Sequence, residues 1–244
     1  MNFLINILSG VIVAVLIWAW IKGVAFLNNR KFRNVFGSTA ENPFFIIYGL
    51  LKLNECYNQN GQPIEFPYSN ISPNARGESR ISSLVSGSQA RGIKYLSESF
   101  RENTKIIPQL VSDSEVESKM DISYCSIGGM NNSKTVDILN HEENEFFKFS
   151  DVGDKIVGVK NSLSFTIDKG FDYALIIKLR PKSLQNKTWV AIAGIGEWGT
   201  SGASWFLARN WKEIEKTYNQ RSFGLIIKVK GGKDESAQIV DRSP

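Results

Sequence analysis

Three glycine-containing stretches hold the residues best suited to chemistry. Residues 194–203 read Gly-Ile-Gly-Glu-Trp-Gly-Thr-Ser-Gly-Ala, a Gly-x-Gly-x-x-Gly pattern on Gly194, Gly196 and Gly199 that runs on into Thr200 and Ser201. Residues 126–135 carry Gly128, Gly129, Asn131, Asn132, Ser133 and Thr135, and residues 86–89 carry Ser86, Gly87 and Ser88. Glycine lets backbone amides approach a ligand closely, and hydroxyl and amide side chains supply donors. A helix N-terminus that follows adds unpaired N–H groups and a partial positive charge, which suits phosphate or carboxylate. All three stretches therefore read as ligand-binding loops for a small anionic, nucleotide-like ligand, with Trp198 as a stacking surface. They name no particular cofactor.

Catalysis has one candidate, Glu197, inside the third stretch. The apolar ring of Trp198 beside it would raise its pKa toward the range of a general acid or base; the plainer role is a solvated turn residue. Asp113 is a more distant second carboxylate for a hydrolytic pair. His141 is the sole histidine and lies in an acidic run with Glu142, Glu143 and Glu145. Without a Gly-x-Ser-x-Gly elbow it reads as a loop histidine, not a triad base. Lys134 and Thr135 follow Ser133 where a phosphate-binding loop has glycine, which argues against nucleoside triphosphate hydrolysis. Cys56 and Cys125 are isolated thiols, and no metal ligands fall at a recognisable spacing.

The elements that must position these loops follow from hydrophobic pattern. Residues 44–48 form a short, wholly apolar run, the mark of a strand buried on both faces. Further strands are expected at 81–85, 106–111, 121–127, 172–179, 188–193 and 222–229, with an edge strand at 237–240. Helical periodicity covers 88–100, 132–140 and 201–218, the last with Ala203, Phe206, Leu207, Trp211 and Ile214 along one face. Short segments at 145–149, 155–159 and 162–167, joined by Gly and Asp turns, read as antiparallel hairpins. Residues 54–80 are polar, with Pro63, Pro67 and Pro73, and read as an irregular excursion.

Strand–helix alternation with glycine turns after the strands makes residues 44–240 resemble a Rossmann-like or flavodoxin-like domain. That resemblance implies an α/β fold with a mostly parallel sheet, helices on both faces, and a small antiparallel insertion. In such a sheet ligands bind beyond the carboxyl ends of the strands, where all three loops would meet. The resemblance identifies no enzyme family, and fold alone assigns no activity.

The first 21 residues carry no charged side chain and are mostly apolar. At about 1.5 Å per residue, a helix from Phe3 to Ile21 reaches roughly 28 Å, close to the thickness of a bilayer's hydrocarbon. Trp18 and Trp20 sit where an interfacial belt would, and neither the basic start nor the cleavage site of a secretory signal is present. Lys22, Arg30, Lys31 and Arg33 all follow the apolar run and precede the first acid, Glu41. The positive-inside rule then puts the N-terminus outside and the large domain in the cytoplasm. The expected organisation is a transmembrane anchor at 1–27, a juxtamembrane linker at 28–43 and a cytosolic α/β domain at 44–244. Gly10 and Ala14 are spaced so that two anchors could pack into a homo-oligomer.

The chain has 29 Lys plus Arg against 24 Asp plus Glu, a net charge of +5. Set aside the four cations flanking the anchor and the rest is near neutral. The expected partners are therefore the lipid bilayer and a small phosphorylated ligand, with no nucleic acid. The reading is a single-pass membrane protein whose domain acts as a sensor or receptor. Its alternatives are a tethered nucleotide or sugar hydrolase or transferase using Glu197, or a non-catalytic oligomerisation module.

Overall fold

A computed structural model describes residues 2–37, 43–52, 83–104, 106–184 and 186–243 of the protein. The excursion expected at 54–80, with Cys56, lies outside the described residues, as do residues 38–42 of the expected linker.

The chain opens with α1 (Asn2–Phe36), a single unbroken helix. It is long and apolar enough to cross a membrane, and the protein buries none of its apolar stretch. Large side chains from Val11 to Leu27 stand exposed. The helix then continues through residues 28–36, and its last turns enter the domain: Phe32, Val35 and Phe36 are fully buried. Phe32 packs edge-on against Phe100 and Trp211, with ring centroids 4.8 and 5.1 Å away. Gly37, at φ +67°, ends the helix by donating its N–H to the Arg33 carbonyl. Only glycine adopts that backbone without strain, and here a Cβ would also strike the Thr188 hydroxyl.

The central sheet has seven strands. β1 (Phe44–Tyr48) lies between β4 (Gln109–Ser112) and β5 (Ser123–Ile127), and β10 (Trp189–Gly194) flanks β5, all four running parallel. Next to β10 come β9 (Phe171–Leu179), β11 (Phe223–Lys230) and β12 (Lys233–Ser243), each antiparallel to its neighbour. β2 (Leu51–Lys52) and β3 (Ser83–Leu84) form a two-residue antiparallel ladder. β6 (Phe147–Phe149), β7 (Lys155–Gly158) and β8 (Ser164–Thr166) make a three-stranded antiparallel sheet, where the sequence places hairpins.

This overturns the expectation of a mostly parallel, Rossmann-like sheet. Among the described residues antiparallel pairings predominate, and half of the central sheet is built on them. The expectation rested on apolar runs, which report burial on both faces and not direction. β9 and β11 are buried on both faces yet antiparallel. The connection from β9 to β10, residues 180–188, is also shorter than the crossover of about a dozen residues that a parallel pair needs.

The two faces are covered differently. α2 (Gly87–Asn103), α4 (Glu197–Tyr218) and the end of α1 cover one, around Leu96, Phe100, Leu207 and Trp211. The other is covered by the short α3 (Ser133–Leu139) and the three-stranded sheet, around Tyr124, Phe147, Ile156 and Trp189. α2 and α4 approach closely because Gly92 faces Ser204: a Cβ there would lie 2.7 Å from the serine hydroxyl. Ser99 then reaches across to donate to the Ala208 carbonyl at 3.0 Å.

Candidate functional site

An open crevice of about 390 Å3 lies beyond the carboxyl ends of β5 and β10. All three glycine-containing stretches contribute to it. Ser86, Ser88 and Gln89 come from the start of α2; Gly128, Gly129, Met130 and Asn131 from the loop after β5; Gly194, Ile195, Gly196, Glu197 and Thr200 from the end of β10, its loop and the first turn of α4. Phe149, Val152 and Gly153, from β6 and its turn into β7, complete the wall.

At α2 the local sequence dictates the geometry. Ser86 is the N-cap, its Oγ accepting from the Gln89 amide N–H at 3.3 Å, and its hydroxyl lies 3.0 Å from that of Ser88. No acidic side chain occupies this first turn. Gln89 is 2 % exposed, and its Oε1 has no hydrogen-bond partner among the described residues. Its amide lies against Gly128, whose φ of +121° and whose close approach to Gln89 Nε2 both demand glycine. A buried polar group without a partner is costly, commonly by about 1–3 kcal/mol, and Gln89 is among the residues lining the crevice.

The Gly-x-Gly-x-x-Gly loop serves a different purpose at α4. The carboxylate of Asp172, 5 % exposed, accepts from the backbone N–H groups of Gly196 at 3.0 Å, Gly199 at 2.6 Å and Tyr173 at 2.7 Å. The chain's own carboxylate thus occupies the amide cradle at this helix N-terminus, where an anion would otherwise sit. The glycines make room for it: a Cβ on Gly196 would lie 2.7 Å from Asp172 Oδ2, and one on Gly199 would lie 2.7 Å from the Tyr173 carbonyl. Gly194 is held by its own turn, its N–H donating to Thr200 Oγ1 at 2.9 Å.

Several residues of the three stretches lie away from the crevice lining. Asn132 is wholly buried; its Nδ2 donates to the carbonyls of Ile47 and Ile127, while its Oδ1 caps α3. Thr135 donates to the Ser126 hydroxyl and the Gly128 carbonyl. The Ser133 N–H donates to Asp113 at 2.9 Å, which engages that carboxylate at α3. Lys134 Nζ is buried on the Glu117 carbonyl and Asp137. Gly87 is exposed at the start of α2, and Gly199 is buried in the turn. Trp198 lies under the Arg91 guanidinium at 4.4 Å, and Ser201 donates to the buried Asp234 at 2.5 Å. Tyr95 donates to the same carboxylate at 2.9 Å, and burial together with that bond pushes its phenol up to about 12.

The crevice therefore has two poles and a greasy wall. Glu197 is an exposed carboxylate at the α4 side, with no second carboxylate among the lining residues. The hydroxyls and amides of α2 form the opposite side. Met130 and Val152, 50 % and 87 % exposed, line the third. His141 sits elsewhere, edge-on to Trp189. Cys125 is buried in the core, which pushes its thiol far above the ordinary range. Among the described residues no three His, Cys, Asp or Glu side chains cluster as a metal site. Sequence reasoning missed Gln89, Asp172 and the β6–β7 turn. Gln89 stands three residues after an N-cap serine, a legible position; Asp172 and Val152 arrive only through tertiary structure. No known protein family, curated protein or solved structure matches the chain.

Proposed function

We propose that the chain is a single-pass membrane protein whose cytoplasmic domain binds a small phosphorylated, nucleotide-like ligand in this crevice, as a sensor or receptor. One observation carries the reading: three loops far apart in sequence line one open cavity, and the buried Oε1 of Gln89, a lining residue, accepts from no donor among the described residues, a place for a ligand N–H or O–H beside the phosphate. The phosphate belongs at the N-terminus of α2, with Ser86, Ser88 and the loop at Gly129, because Asp172 already fills the other helix terminus and the Gly128 N–H donates to the Ile192 carbonyl. Hydroxyl or amino groups of the ligand face Glu197, and a ring packs on Met130 and Val152. The four cations after the apolar stretch support the cytoplasmic side for the domain, by the positive-inside rule.

Scanning fluorimetry of the detergent-solubilised chain against nucleotides, cyclic nucleotides and the matching nucleosides tests this. A phosphorylated compound at about a hundred times its Kd should raise the unfolding midpoint by roughly 5–10 °C. Gln89→Ala should abolish the shift while the unliganded protein stays folded. No shift with any phosphorylated compound overturns the proposal.

A further inference from the structure

A second cavity, about 360 Å3, opens where α1 leaves the domain beside the end of α2. On α1 it is lined by Ile21, Val24 and Asn28, the same helical stripe that, a turn later, buries Phe32 and Val35. Inside the core that stripe meets Phe100 of α2. Past Asn103, where α2 stops, the stripe and α2 part and leave a wedge. Trp20 of α1, 74 % exposed, also lines it, and α2 contributes Glu102 and Asn103 as its polar part.

Among the described lining residues Glu102 is the one charged side chain. Glu102 carries a full charge at a helix C-terminus, which itself bears partial negative charge. Its cationic neighbour, Arg209, is 3.9 Å away, half exposed and shared with Glu98, so the neutralisation is loose. The face of an indole favours a cation as well. The wedge also lies where the exposed apolar stretch of α1, which ends at Leu27, meets the folded domain.

We propose that this wedge holds the ammonium headgroup of a phospholipid, its acyl chain lying along Ile21 and Val24. The inference rests on the membrane reading of α1. Every phospholipid carries the phosphate, which Glu102 does not attract, so the partner is one whose headgroup adds an ammonium, held between Glu102 and Trp20.

The full-length chain, reconstituted in nanodiscs of equal parts phosphatidylethanolamine, phosphatidylcholine and phosphatidylglycerol, is examined by native mass spectrometry. One ammonium-bearing lipid should be retained per chain. Retention should fall about fivefold in both Glu102→Gln and Trp20→Leu, which alter exposed side chains outside the core. Preference for ethanolamine over choline would assign N–H donation to Glu102; the reverse would assign the Trp20 ring. Dominant retention of phosphatidylglycerol, or retention unchanged in both variants, overturns the proposal. Recovery of the chain in the aqueous fraction without detergent would instead overturn the membrane reading beneath it, before any lipid is counted.

Discussion

Asp172 shows how a single side chain can redirect a motif. Three backbone N–H groups converge on its carboxylate, so the loop that reads as an anion cradle is already filled from within. Asp172→Ala should cost about 2–4 kcal/mol, because the start of α4 loses its cap and buried donors lose their acceptor. Inorganic phosphate should restore part of the lost midpoint in that variant and have no such effect at this cradle in the parent chain; a variant as stable as the parent would refute the capping role. Lys178 is a second residue whose setting defines it. Fully buried on β9, its Nζ donates to the Asn34 carbonyl in the last turn of α1 at 2.6 Å and to the Asn219 carbonyl just past α4 at 3.0 Å. Burial, reinforced by Arg180 and opposed by Glu215, lowers its pKa to about 7. The unfolded chain therefore holds more protons than the folded one from pH 7 to about 10.5, and stability must rise with pH across that window. Lys178→Met should remove this slope, so the difference in unfolding free energy between parent and variant should grow in the parent's favour from pH 7 to 10. Parallel curves would show that the amine does not titrate as its burial dictates.

At the scale of elements, the positions of most strands and helices were legible, and the sheet they build was not, because strand direction was not. Apolar runs marked β1, β5, β9, β10 and β11 because each is covered on both faces, and the 3.6-residue stripe of Leu207, Trp211 and Ile214 marked α4. Neither signal encodes which way a strand runs. Direction is set by what each connection can span. The short link from β9 to β10 and the Gly231–Gly232 turn between β11 and β12 force reversals, while α4 carries the chain back across the sheet to set β11 beside β9. The loops were legible for a related reason: glycine, serine and asparagine mark chain that must turn or cap, whatever the strand order. Their meeting in one crevice comes from the parallel half of the sheet, where β5 and β10 end side by side. What each loop does there was beyond the sequence, since Asn132 and Asp172 spend their polar atoms on the chain itself.

At the scale of the whole molecule, α2 links the two cavities. Its first turn lines the crevice and its last lines the wedge against α1, so the two cavities stand about 25 Å apart, one helix length of 17 residues. The crevice thus opens at the end of the domain away from the exposed stretch of α1, free of the surface to which that stretch would hold it. α1 is then two things in one helix, a protruding apolar rod and a core element. Phe32, Val35 and Phe36 are each buried to within 1 % of completion, and burying a large apolar side chain is worth about 1.5–3 kcal/mol. Together they contribute an amount comparable to the total stability of an ordinary domain, about 5–15 kcal/mol. A chain beginning at residue 28 should therefore be soluble without detergent and unfold cooperatively, whereas one beginning at residue 38 should leave Phe44, Phe100 and Trp211 bare and fail to fold. Circular dichroism melts of the two truncations decide it. Equal midpoints would mean that the end of α1 adds nothing to the core, and that the anchor and the domain are mechanically separate.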